Sequence, residues 1–154
     1  MLKRTFDALT SLAALLFFFP FIFCVATIIK IGDGGPVFYR GERTGWRGKP
    51  FRIYKFRTMV VDAENIGGAS TADDDARITS VGKFLRKYKL DELPQLMNVL
   101  KGEMSIVGPR PEVKYYTDMF SGEERAILSV RPGITDWASI WNADEGAVLA
   151  GAVD

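Results

Sequence analysis

The chain has no histidine among its 154 residues. Ser–His and Cys–His nucleophile pairs and His-based zinc sites are thereby excluded. Any general base has to be a carboxylate, a lysine or a tyrosine. A single cysteine, Cys24, excludes an intramolecular disulfide framework; it lies in an apolar run and reads as a small hydrophobe. Neither sign of charge dominates: 20 Lys and Arg stand against 19 Asp and Glu, a net charge of +1, so the molecule as a whole is no polycation. No internal repeat is visible. The length suits one domain plus an appendage.

What is present begins with residues 8–29, an apolar run without a charge. As a straight helix it would reach about 33 Å, enough for a hydrocarbon core of about 30 Å. It is the one run long enough to enter a membrane, which argues against a polytopic protein. A cleaved signal peptide fits poorly, because the run is long and Asp7 interrupts its start. A globular core helix also fits poorly, because Phe17-Phe-Phe-Pro-Phe-Ile-Phe23 is apolar all round. Pro20 removes a helix hydrogen bond near the middle, and membrane helices tolerate this, usually with a kink. Lys3 and Arg4 precede the run and Lys30 follows it, so both flanks are cytoplasmic candidates. A hairpin-like helix that enters and leaves by the same face would satisfy both flanks; a single span stays open beside it.

Residues 31–59 read as β. Between positions 30 and 57 there are eight Lys or Arg against two acidic residues, a segment suited to an anionic membrane surface or a phosphorylated substrate, or simply a solvated face. Phe51-Arg-Ile-Tyr-Lys-Phe-Arg57 alternates, with Phe51, Ile53 and Lys55 on one side, and suggests a hairpin. Residues 62–76 read as a loop, and Asp73-Asp-Asp75 as a solvated loop or cap rather than a metal site. Thr79 or Ser80 caps a helix to Tyr88 with Val81, Phe84, Leu85 and Tyr88 on one face. Residues 112–120 read as helical. Ser121-Gly-Glu-Glu124 fits a capping box, and Arg131-Pro-Gly-Ile-Thr135 a turn.

The stretch that draws these together is Leu90-Asp-Glu-Leu-Pro-Gln-Leu96, followed by Asn98-Val-Leu-Lys-Gly102, Met104-Ser105 and Val107-Gly-Pro-Arg-Pro111. Asp91 and Glu92 stand at a predicted helix start, with Asp91 as N-cap and Pro94 in the first turn. Leu93, Leu96, Met97 and Leu100 give a buried face, and Gly102 the C-terminal stop. Two prolines hold Arg110 on a stiff turn. An Asp-Glu pair opening a helix is most often a cap with a favourable dipole interaction. Carboxylates facing a rigid Arg can also handle a phosphate through a metal ion and a fork of donors.

These motifs, with Tyr54-Lys-Phe-Arg-Thr-Met59, Arg43-Thr-Gly45 and Arg131-Pro-Gly-Ile-Thr135, closely resemble the monotopic phosphoglycosyl transferases, the bacterial sugar transferase family. The resemblance covers about residues 1–142. It implies an α+β fold: a membrane-embedded helix over residues 1–30, broken near Pro20, then a small helix-rich cytoplasmic catalytic domain with a short β-hairpin over residues 31–154. It implies transfer of a sugar 1-phosphate from a UDP-sugar to a polyprenol phosphate at the cytoplasmic face of a bacterial inner membrane, which would initiate glycoconjugate synthesis. Asp91 matches the nucleophile, which would carry a covalent phosphosugar and bind Mg²⁺, and Glu92 matches its catalytic partner. Arg86, Arg110 and Arg131 are candidate phosphate clamps. The partners expected are both substrates and membrane lipid, and no nucleic acid. Two features depart from the family. Phe19, not the frequent Ser, precedes Pro20, and Asn142 is followed by Ala143, Asp144 and Glu145 without an Arg. Members usually continue past the position of Asp154, so a C-terminally truncated form is expected. The alternative function is a truncated or non-catalytic membrane-anchored module that binds anionic lipid or a full-length partner.

Overall fold

The computed structural model describes residues 2–66 and 75–136. Asp73, Asp74 and the Asn142–Glu145 stretch singled out above lie outside them.

Helix α1, Leu2–Asp33, is one element with Pro20 inside it. Its outer face is bare: Leu9, Leu16, Phe17, Phe19, Phe23 and Ile31 are all exposed. Its inner face meets the domain in two stretches, with Asp7 and Ser11 buried in one and Val25 and Ile29 in the other. Near its start Arg4 donates to the carbonyls of Val99 and Leu100, at 2.5 and 2.8 Å. Near its end Val25 and Ile29 pack with Phe56 and Leu85. Beyond that, Asp33 forms a two-bond ion pair with Arg57, which holds the Asp33 carboxyl at about 2. From Arg4 to Ile29 the helix runs about 38 Å.

The predicted hairpin is nested. Strands β1 (Phe38–Tyr39) and β4 (Lys55–Phe56) pair antiparallel outside; β2 (Glu42–Thr44) and β3 (Pro50–Arg52) pair inside. The β reading started too early, since Ile31 to Asp33 still belong to α1. The alternation holds: Phe51 and Ile53 enter a core with Val99 and Met104, while Phe56 enters the core under α1. A short helix α2, Ala63–Ile66, follows. Arg77 pairs with Asp75 at 2.6 Å and donates to the Ala63 carbonyl.

Helix α3, Ser80–Lys87, is capped by Thr79, whose side chain accepts from the Gly82 amide at 3.0 Å. Its buried face is Val81 and Leu85, whereas Phe84 and Tyr88 are exposed, contrary to the expected four-residue stripe. The helix has only two turns, and it is seated by its glycine. A Cβ on Gly82 would lie 1.9 Å from the Thr58 carbonyl oxygen, so only glycine lets this turn sit so close. That contact fixes which face looks inward.

The segment Leu90–Gln95 is a 3-10 helix and passes into α4, Leu96–Lys101. Asp91 is therefore not an N-cap. The cap position belongs to Lys89, at φ 55°, and Asp91 sits in the first turn. A 3-10 turn advances about 20° more per residue than an α-helix, so six residues rotate the following face by about 120°. Accordingly α4 buries Leu96, Asn98 and Val99, while Leu93, Met97 and Leu100 are only partly covered. Gly102 ends α4 at φ 82°, as expected. Asn98 is fully buried and joins α4 to the hairpin: it donates to the Arg52 carbonyl and accepts from the Tyr54 amide.

Strand β5, Ser105–Val107, pairs in parallel with β6, Gly133–Thr135, so the expected 131–135 turn ends in a strand. A Cβ on Gly133 would be 2.1 Å from the Gly108 amide nitrogen; two glycines let these backbones touch. Between them lie α5, Lys114–Asp118, and a 3-10 segment, Glu124–Ser129, which are shorter than predicted. The Glu124 side chain does accept from the Ser121 amide, at 2.7 Å. The architecture is α+β, with a long apolar N-terminal helix laid on a small mixed domain.

Candidate functional site

Four pieces of chain bring charge to one point. The tight turn at Lys89 ends α3 and starts the 3-10 segment, so Asp91 and Glu92 emerge beside the last turn of α3. Strand β4 contributes Lys55, whose Nζ lies 2.7 Å from Glu92 Oε1. The Gly108–Pro111 turn after β5 contributes Arg110, half-exposed, with its Nη2 at 4.0 Å from the same oxygen. Its backbone is fixed by the Arg110 amide, which donates to Asp136 at 3.0 Å. Helix α3 contributes Arg86, whose Nε donates to Thr58 Oγ1 at 2.9 Å and whose charge acts on Asp91.

The two adjacent carboxylates are held differently. Burial pushes the Glu92 carboxyl up, but the charge and hydrogen bond of Lys55, then Arg110 and Gln95, outweigh it and hold it below the usual carboxylate range. Burial likewise pushes Asp91 up; Lys55 opposes, the neighbouring Glu92 charge adds, Arg86 opposes, and the net shift is upward. Among the described residues, no ion pair or hydrogen bond ties the Asp91 side chain to another residue. Glu92 is thus committed and Asp91 is available, in a setting that separates their acidities.

Beside the pair opens a cavity of about 910 Å³. Its lining includes the charged Lys89, Glu92 and Arg110 as well as apolar Leu96, Phe120 and Ile127. Arg131 is engaged elsewhere: its Nε donates to the Gly102 carbonyl at 2.8 Å and its guanidinium lies 4.5 Å from the Trp46 ring centre. The structure brings Asp91, Glu92, Arg86 and Arg110 into one neighbourhood, while Arg131 bonds the end of α4.

Lys55 and Gln95 were not anticipated as site residues. For Lys55 a signal existed: the alternation sets it on the face of Phe51 and Ile53, and it lies in one of the motifs noted above. Gln95 lies in the motif of residues 90–96, three residues after Glu92, on whose carboxyl it acts. No cluster of three or more potential metal ligands occurs among the described residues. Two adjacent carboxylates nevertheless fit Mg²⁺, which is commonly held by one or two carboxylates plus substrate phosphates, and among the described residues no other side chain is bonded to Asp91.

A carboxylate pair ringed by cations, on a small domain that carries a long apolar helix, defines a class of site fitted to a phosphorylated ligand. The family profile described as bacterial sugar transferase matches residues 1–150, and the chain belongs to that family. It is 43% identical over 142 residues to UDP-N-acetylgalactosamine-undecaprenyl-phosphate N-acetylgalactosaminephosphotransferase of Aeromonas hydrophila, covering 90% of this chain and 34% of the relative. It is 41% identical over 143 residues to UDP-glucose:undecaprenyl-phosphate glucose-1-phosphate transferase of Escherichia coli, covering 91% of this chain and 31% of the relative. With sugar transferase EpsL of Bacillus subtilis the identity is 40% over 140 residues, and 68% of that relative is covered. The chain thus spans about a third of the length of the first and second of these and about two thirds of the third.

Proposed function

We propose that this protein is a phosphoglycosyl transferase that moves a sugar 1-phosphate from a UDP-sugar to a polyprenol phosphate through a covalent intermediate on Asp91. The observation that carries the reading is the asymmetry of the carboxylates: Glu92 is neutralised by Lys55, whereas Asp91, one residue away, has no partner among the described residues. The names of the relatives supply the substrate pair.

In the first step an Asp91 oxygen attacks the sugar-bearing phosphorus. The Asp91–phosphorus bond forms as the bond to UMP breaks, and UMP leaves with the bridging oxygen. In the second step the phosphate of the polyprenol attacks the same phosphorus and releases the Asp91 carboxylate. Arg110 presents a planar fork to the diphosphate, and Arg86 offsets the charge repulsion that an attacking carboxylate meets. Glu92 pairs with Lys55 and so keeps that cation beside Asp91. Mg²⁺, when bound, would be held by Asp91 and the diphosphate oxygens and would reduce the charge on the phosphate.

Helix α1 fits this chemistry. A polyprenol keeps its tail in lipid, and the bare apolar face of α1 belongs there too. Contacts of both its ends with the same domain favour a helix that enters and leaves by one face over a single span, with the domain and both flanks on the cytoplasmic side. The test is mass spectrometry of protein quenched after exposure to UDP-sugar and Mg²⁺ without acceptor. A phosphosugar adduct is expected on the peptide containing Asp91, absent from Asp91→Asn. An active enzyme that forms no adduct, with kinetics requiring both substrates bound together, would mean direct transfer.

A further inference from the structure

A buried carboxylate at the foot of α1 has no part in the steps above. Asp7 is 4% exposed and faces the domain. A buried carboxylate is costly unless hydrogen bonds surround it. Here they do: Lys3 Nζ lies at 2.9 Å and Ser105 Oγ donates at 2.8 Å. Lys3 Nζ closes the group with contacts to Ser105 Oγ and, at 3.4 Å, to the Val107 carbonyl. An apolar side chain would fill this place at less cost. What the carboxylate adds is direction, because hydrogen bonds fix β5 against α1 in one register and apolar contact does not.

From Ser105 to Arg110 the chain has little slack. The Ser105 amide donates to the Pro132 carbonyl at 2.8 Å and the Gly108 amide to the Thr135 carbonyl at 3.1 Å. The Pro109 carbonyl accepts from Gly133 at 2.9 Å, and the Arg110 amide donates to Asp136. Pro109 and Pro111 restrict the rest. A shift at Ser105 is therefore delivered to Arg110. The Arg110 guanidinium, at 4.0 Å from Glu92, stands at the outer limit of an ion pair, where a small displacement decides whether it pairs with the carboxylate or with a ligand.

We propose that Asp7, acting through Ser105, is a positioning residue for Arg110: it ties the register of β5 to the foot of α1 and so sets where the guanidinium stands. The inference rests on the reading of Arg110 as a phosphate clamp. The experiment is a double-mutant cycle on the full chain in lipid nanodiscs, with kcat/KM for a UDP-sugar measured by UMP release. Asp7→Asn is expected to lower kcat/KM about tenfold in the wild-type background but less than about twofold in an Arg110→Lys background, as coupled sites do. The same loss in both backgrounds, or no loss in the first, overturns the proposal. Wild-type turnover of Arg110→Lys alone would instead overturn the clamp reading. Should Asp7→Asn fail to accumulate in membranes, Ser105→Ala carries the same cycle, since it removes the hydroxyl between Asp7 and Lys3 and leaves those two charges paired with each other.

Discussion

Glu92 and Lys55 share a 2.7 Å ion pair, and the charges of both act on the buried Asp91 beside them. Asp91 is held above the usual carboxylate range chiefly by burial, so less of it is ionised at mildly acidic pH than for an exposed Asp. If the ionised carboxylate is the nucleophile, activity falls as pH drops through this raised value, and the acid limb of the pH–kcat/KM profile lies above the ordinary Asp value of about 3.9. Two substitutions should move that limb in opposite directions. Lys55→Met removes a cation that favours the ionised forms and should shift it to higher pH. Glu92→Gln removes a negative neighbour and should shift the residual activity's limb to lower pH. A profile that moves the same way in both variants would mean that the limb belongs to another group.

At the scale of elements, close approaches of backbone set the site. Helix α3 is seated against Thr58 by Gly82, and Thr58 in turn receives the Arg86 side chain. Gly82→Ala would drive its methyl into the Thr58 carbonyl. It should cost about 1–3 kcal/mol of stability, the usual range for overpacking, and should also lower turnover because Arg86 moves with the helix. Thermal unfolding together with UMP release measures both. A stable, fully active Gly82→Ala protein would show that α3 can slide without disturbing the site. The 3-10 segment matters in the same way. Its extra twist turns Asn98 inward to the hairpin, where it bonds the Arg52 carbonyl and the Tyr54 amide.

For the whole molecule, the test is topological. In a Cys24→Ala background, single cysteines placed next to Lys3 and Lys30 should both be labelled from the cytoplasmic side, because α1 meets the domain near both ends; labelling of the N-terminal flank only from the opposite side would establish a span. Much of this protein was determined by sequence alone. The apolar run, the β-hairpin with its alternation, the Thr79 cap, the Gly102 stop and the candidates Asp91, Glu92, Arg86 and Arg110 depend on local periodicity and on motifs, which neighbouring residues carry. Only the tertiary structure decided the rest. Arg131 went to Gly102 and Trp46, Lys55 to Glu92, Asp7 to Ser105, and Phe84 and Tyr88 to the surface. Each of these depends on which distant backbone lies within bonding reach, and that is set by glycine contacts and 3-10 twist that accumulate along the chain. A lysine has the same local pattern whether its partner is water or a carboxylate 37 residues away; the ion pair exists only once β4 and the 3-10 segment are packed side by side.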